Sequence, residues 1–439
     1  MTYTLQWDKV VAEAAQILSD YIKIDTTDPP GNEKQAADFL AGILRKEGLE
    51  PEILSYNDKR ANLVCRIRTN SSEKPLLLLS HMDVVGAVAQ DWLVPPFSGL
   101  IRDGYVWGRG TVDCKGMGVM EMMAFVLLKR AGVSLKRDII LLANADEEAG
   151  GESGAEWVVK NHWDKVAAGY VLNEGGMGIQ NMFGRDMMLP CFGEKGPLWL
   201  KLKATGESGH GSMPTDKNPN NKLVLALSRI AHYETRFVLL PEMKRMLLEA
   251  GKGMQFPVPL LMPMVVNSMF LNLLSGRLKK MKKINALLRN TISITNLKSG
   301  FKENVIPSEA EAVLDCRLLP GQDKEAFLDE LKEVINDPDI EIEVIQFHPP
   351  SQSPSEDRFM EVIKKVIARN HPGVPFYPII GAGFTDSRFF REKGAQAYGF
   401  IPCLFSQEEV DSMHGINEKI SLKCLEDGIK NIFDLCKDF

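Results

Sequence analysis

The chain reads as an α/β protein: a mixed, largely parallel sheet with helices on both faces, interrupted by an inserted α+β domain. Three observations predict this. Short runs that are apolar on both faces, such as Leu76-Leu77-Leu78-Leu79, alternate with helical patterns, as buried parallel strands do. From Lys195 the pattern changes, with Leu198, Leu200 and Leu202 alternating with Trp199, Lys201 and Lys203, the period of a strand with one buried face. The 439 residues also exceed one ordinary domain of roughly 100–200 residues.

In chain order, Val10, Val11, Ala14, Ile17, Leu18 and Ile22 share one helical face, and the helix stops at Asp28-Pro29-Pro30-Gly31. A second helix is expected over Glu33–Glu47, and strands over Ala61–Arg68, Leu76–Leu79, Asp138–Asn144 and Gly169–Asn173. The first part of the sheet domain is placed at 1–194 and the inserted domain at 195–319. The insert takes a helix from Asn221 to about Leu239 and strands near Thr291–Leu297 and Glu311–Leu318. After Pro320-Gly321 the sheet domain is expected to resume over 320–439, with a helix from Lys324, the strand Ile340–Ile345, a helix over Asp357–Asn370 and the strand Ala397–Ile401.

Composition narrows the function. With 44% apolar and 25% charged residues the balance is that of a globular enzyme, and a net charge of -6 argues against nucleic acid as a partner. Seven scattered cysteines form no C-x-x-C pair, and the start lacks the pattern of a secretion signal, so a reducing cytoplasm is expected. Residues 253–276 are uncharged and precede the basic run Arg277–Lys283. Pro257, Pro259 and Pro263 break their continuity, so this segment reads as a buried or partner-covered lid rather than a membrane contact.

The chemistry gathers at strand ends. Ser80-His81-Met82-Asp83 follows the four-leucine strand, so His81 and Asp83 project at its carboxyl end, where open α/β sheets bind ligands. The glycine-rich run Gly108–Gly118 matches neither a dinucleotide nor a phosphate loop, and an acid at its turn would repel phosphate. Asp113 suits a cation instead. Cys114 beside it reads as a buried neutral thiol, with zinc ligation the lesser alternative. In Asp146-Glu147-Glu148 one glutamate can bind metal while its neighbour stays free as a general base. Glu174 closes the next strand and His414 lies in a late polar turn. One histidine, one aspartate and two glutamates at strand ends, with a second histidine, form the donor inventory of a two-metal hydrolase.

The motifs S-H-x-D-V-V, G-R-G-x-x-D-x-K-G, D-E-E-x-G-G, N-E-G-G and M-H-G-x-N-E occur in an order and spacing that resemble the zinc exopeptidases. That family includes aminoacylase, carnosinase, succinyl-diaminopimelate desuccinylase and glutamate carboxypeptidase, and the chain is most similar to the carboxypeptidase S and N-acyl-amino-acid hydrolase branch. The resemblance implies two zinc ions, with cobalt or manganese as substitutes. Asp113 would bridge them, His81 and Glu174 holding one and Glu148 and His414 the other. Glu174 is preferred over Asn173 because an amide is the poorer zinc ligand. Glu147 would be the base, with Asp83 counted among the catalytic groups. It further implies that His210 stabilises the oxyanion, commonly in the active site of a partner subunit, which points to a homodimer. Asn304 would contact substrate and Arg388 would bind its free carboxylate. The implied substrates are small N-acyl amino acids or peptides, and the apolar insertion adds an expectation of hydrophobic acyl groups.

Overall fold

The computed structural model describes residues 5–182, 184–252, 263, 266 and 282–439. The segment 253–283, and with it the reading of a lid or acyl pocket, lies almost wholly outside the described residues. Among the described residues no helix is long and apolar enough to cross a membrane.

Two compact units emerge. The first comprises Met1–Phe192, Ser353–Ile379 and Thr385–Phe439, and the second Gly193–Gln352 with Ile380–Phe384.

In the first unit the strands lie in the spatial order Glu52–Ser55, Ala61–Ile67, Ile139–Asn144, Leu76–His81, Tyr170–Met182, Gln396–Phe405. The last four pair in parallel, and the two at the edge are antiparallel, so the sheet is mixed with a parallel centre. Leu76–His81 is buried at every position because layers cover both faces. Leu77 and Leu79, with Ile140 and Leu142, pack against Val158, Val159 and Phe390. Their alternate neighbours face the opposite side, where the helix Lys115–Arg130, buried from Lys115 to Leu128, packs on the strands. A buried leucine is worth about 1.5–3 kcal/mol relative to an exposed one, so the four-leucine run firmly anchors the strand that ends in His81.

The second unit is a four-stranded antiparallel sheet in the order Thr291–Ser299, Glu309–Leu318, Gly196–Thr205, Ile340–Phe347. Leu198, Leu200 and Leu202 face a core closed by the helices Pro219–His232 and Lys324–Ile335. On the other face Lys201 pairs with Glu343 at 2.7 Å and Lys203 with Glu309 at 2.9 Å.

The expected boundary at residue 319 is corrected by this sheet. The strand Ile340–Phe347 pairs with Gly196–Thr205, so 320–352 belongs to the second unit rather than to the resumed first one. The alternation Ile340-Glu341-Ile342-Glu343 signals a strand with one buried face, as at Leu198–Lys203, whereas central parallel strands are apolar throughout. The helix expected to reach Leu239 ends at His232.

Candidate metal centre

Register delivers the donors to one end of the parallel strands. His81 is paired with Asn144, and each is the last residue of its strand. Chain order then places Glu147 and Glu148 in the turn beyond Asn144. Leu78 pairs with Leu172, so Glu174, two residues on, comes level with Ser80. Asp113 stands just before the helix Lys115–Arg130, and His414 occupies a turn at φ +56°.

Two groups of donors result. His81, Asp113, Cys114 and Glu174 form one, and Asp113, Glu148 and His414 the other, with the donor atoms of each within 4.8 Å of one another. Asp113 belongs to both. Its Oδ1 lies 3.0 Å from His81 Nε2 and its Oδ2 3.0 Å from His414 Nε2. Glu174 Oε1 is 3.6 Å from His81 Nε2, and Glu148 Oε1 is 3.0 Å from His414 Nε2. A carboxylate that faces two imidazoles with its two oxygens can serve two cations at once. Glu147 belongs to neither group.

The donors fit divalent ions. His81 Nδ1 lies 3.0 Å from the Asp83 carbonyl oxygen, which can only accept, so Nδ1 carries the hydrogen. In the neutral ring Nε2 then turns a lone pair towards Asp113 and Glu174, a repulsive arrangement that a cation between them makes attractive. Burial pushes the Glu174 carboxyl well above its usual range, and the nearby Asp113 charge adds to this. Burial raises Glu147 likewise, reinforced by Glu174. Hydrogen bonds to Asp113 and Glu148 lift His414 to about 10. Such a surplus of closely packed negative charge calls for cations.

Cys114 lies under this site. Its sulfur accepts the His81 backbone N–H at 3.4 Å, and burial pushes the thiol far up, so it packs as a neutral group. Asp83 touches both donor groups: besides its carbonyl contact to His81, its Oδ2 accepts the Glu148 N–H at 2.9 Å.

The sequence motifs contain further residues to which sequence reasoning gave no role. Glu418 is fully buried, and its Oε1 accepts the backbone N–H groups of Val112 at 2.8 Å and Asp113 at 3.1 Å. Its Oε2 accepts the Gly110 N–H at 3.0 Å and the Arg109 guanidinium. Arg109 also donates to the Gly415 carbonyl at 2.9 Å, next to His414. One ion pair therefore ties the Asp113 loop to the His414 turn. The signal was available: two opposite charges inside motifs that otherwise supply metal donors.

The remaining candidates are placed as follows. Arg388 is 3% exposed and donates to the carbonyls of Thr385 at 3.2 Å and Gly150 at 2.6 Å, so part of its fork grips the turn that follows Glu147 and Glu148. In the second unit, His210 is exposed and paired in register with Val305, while the Gly211 N–H donates to the Asn304 carbonyl at 2.8 Å. The structure thus brings His210 and Asn304 side by side.

A parallel-centred sheet with two joined carboxylate–imidazole clusters at its strand ends, and an unengaged glutamate beside them, defines a hydrolytic enzyme of the metallopeptidase type. The family can be stated as well: residues 77–438 match the model of "Peptidase family M20/M25/M40", and the chain belongs to that family. It is 30% identical over 377 residues to the human N-fatty-acyl-amino acid synthase/hydrolase PM20D1, covering 84% of this chain and 75% of that protein. It is 26% identical over 429 residues to aminoacylase-1 of Dictyostelium discoideum, covering 94% of this chain and 95% of that one. The M20 family metallo-carboxypeptidase Sso-CP2 from Sulfolobus solfataricus is similar in fold, with a TM-score of 0.75, 21% identity and coverage of 97% of this chain and 98% of that one.

Proposed function

We propose that this enzyme uses two zinc ions to cleave the amide bond of N-acyl amino acids next to the free carboxylate. The observation that carries the reading is the position of Asp113, one oxygen towards His81 and the other towards His414. In this reading Asp113 would be shared by the ions, with His81 and Glu174 holding one and Glu148 and His414 the other. Imidazole and carboxylate donors suit zinc, and cobalt or manganese would be accepted by the same set. When bound, the ions lower the pKa of a coordinated water from about 15.7 towards 7 and polarise the scissile carbonyl.

The chain supplies the rest. Glu147 takes the proton from the attacking water and returns it to the leaving nitrogen; burial, which raises its carboxyl, suits it to hold that proton in between. The Ser212 backbone N–H donates to His210 Nδ1 at 3.2 Å, so a neutral ring bears its hydrogen on Nε2. In the active site of a partner subunit that N–H would be a donor for the carbonyl oxygen as it gains charge. Asn304 beside it contacts the same substrate. Arg388, whose guanidinium also donates to the Thr385 and Gly150 carbonyls, orients the substrate carboxylate.

N-acyl amino acids are preferred over dipeptides because the names of the curated relatives point that way. A reducing compartment belongs to the same reading, in which the cysteines, all seven of them buried, stay thiols. A homodimer formed through the second unit belongs to the same reading, since its edge strand exposes Ile294 and Leu297.

The reading is tested by assaying N-acyl amino acids, their C-terminal amides and dipeptides, with and without a chelator. Acids should be hydrolysed, and chelation should stop it; turnover that survives chelation, or dipeptides turned over far faster, contradicts the reading. Arg388→Lys should raise KM for the acids by about 10–100-fold and leave the slow amides unchanged. A fall in kcat alone would reduce Arg388 to a support for the Gly150 turn.

A further inference from the structure

Glu147 follows a residue held in a backbone conformation that residues other than glycine seldom take. Asp146 has φ +68°, the left-handed region, which a side chain bearing a Cβ disfavours. The turn it opens closes tightly on itself: a Cβ built at Gly154 would lie 1.7 Å from the Ala145 carbonyl oxygen. Something must keep Asp146 there. Its Oδ2 accepts the Ser153 N–H at 2.7 Å and the Ser153 hydroxyl at 2.8 Å, and its Oδ1 accepts the Arg60 guanidinium.

The same guanidinium reaches Ser153 Oγ at 3.0 Å and Asp28 Oδ1 at 2.6 Å. Arg60 is set in place from behind, since Asn57 Oδ1 accepts its backbone N–H at 2.8 Å. All three charged groups are largely buried, which strengthens their attraction. Only a planar fork can span two carboxylates and a hydroxyl together; a lysine would reach one. On the far side of Glu147, the Glu148 N–H is fixed by Asp83. Glu147 therefore stands between two anchored neighbours.

We propose that Arg60 is a positioning residue for the hydrolysis: with Ser153 it clamps Asp146 in the left-handed conformation that aims Glu147 at the attacking water. Arg60 lies 86 positions before Asp146 and touches neither substrate nor metal donors in this account. The inference rests on Glu147 being the general base. Its physical content is that the clamp acts through backbone conformation, so the direction of the Glu147 side chain, and not merely the stability of the fold, depends on it. Misplacing a reacting group by about 1 Å can cost on the order of a hundredfold in rate.

The decisive comparison is Asp146→Gly against Asp146→Ala. Both delete the carboxylate, but only glycine accepts φ +68° without strain. With the best N-acyl amino acid as substrate, the glycine variant should retain a kcat roughly tenfold or more above that of the alanine variant. KM and the number of bound metal ions should match the wild type in both. Arg60→Gln should lower kcat by about tenfold at constant KM, with Arg60→Lys intermediate. Ser153→Ala, a milder change, should lower kcat severalfold, and it carries the test if the other variants do not fold. Equal kcat for the glycine and alanine variants, or wild-type kcat in Arg60→Gln, overturns the proposal; the hydrolytic reading stands as long as Glu147→Gln is inactive. Full turnover by Glu147→Gln removes that reading and this proposal together.

Discussion

Glu147→Gln should lower kcat by about 10²–10⁴-fold, the range typical for losing a positioned acid–base group, while the bound metal and the melting temperature stay near wild type. The amide keeps the size and part of the polarity of the carboxylate but cannot accept a proton at neutral pH. Glu147 lies outside both donor groups, so its replacement removes no donor from either. A variant that loses its metal along with its activity would instead mark Glu147 as a ligand. Metal analysis and single-turnover kinetics on the same preparation separate the two outcomes.

Glu418→Gln should be more damaging to the protein than any single metal-donor substitution. Burial raises the Glu418 carboxyl, but the Arg109 charge and three backbone N–H groups favour the ionised form. Each of its oxygens accepts two hydrogen bonds. An amide nitrogen in place of either oxygen would point a donor at donors and leave Arg109, which is 2% exposed, without its counter-charge. Breaking one partner of a buried pair costs about 3–5 kcal/mol. Because Asp113 and His414 sit on the two segments that the pair joins, metal affinity should also fall by about 10–100-fold. Chemical denaturation and competitive metal titration measure the two effects; wild-type stability together with wild-type affinity would show that the pair supports neither loop.

How much of this was legible in the sequence depended on whether a residue's meaning is local. The Leu76–Leu79 run announces a central strand because only burial on both faces tolerates four consecutive leucines, and His81 follows from its place at that strand's end. Asp113, Glu148, Glu174 and His414 were recognisable because each sits in a short motif with a distinctive composition. The domain boundary misled because helix and strand continue past residue 319 in the same rhythm. Only pairing across the sheet assigns Ile340–Phe347 to the second unit. Arg60 was invisible for a similar reason: its flanking residues carry no motif, and its partners Asp28, Asp146 and Ser153 are distant in the chain. Asp83 was counted among the catalytic groups, and its contacts are with the His81 ring and the Glu148 backbone.

Calorimetric titration of zinc into chelator-stripped protein measures directly whether Asp113 serves two cations. Wild type should bind two ions per chain, and Asp113→Ala should weaken both sites together. A single ion per chain in the wild type, or two undiminished sites in the variant, would contradict that role.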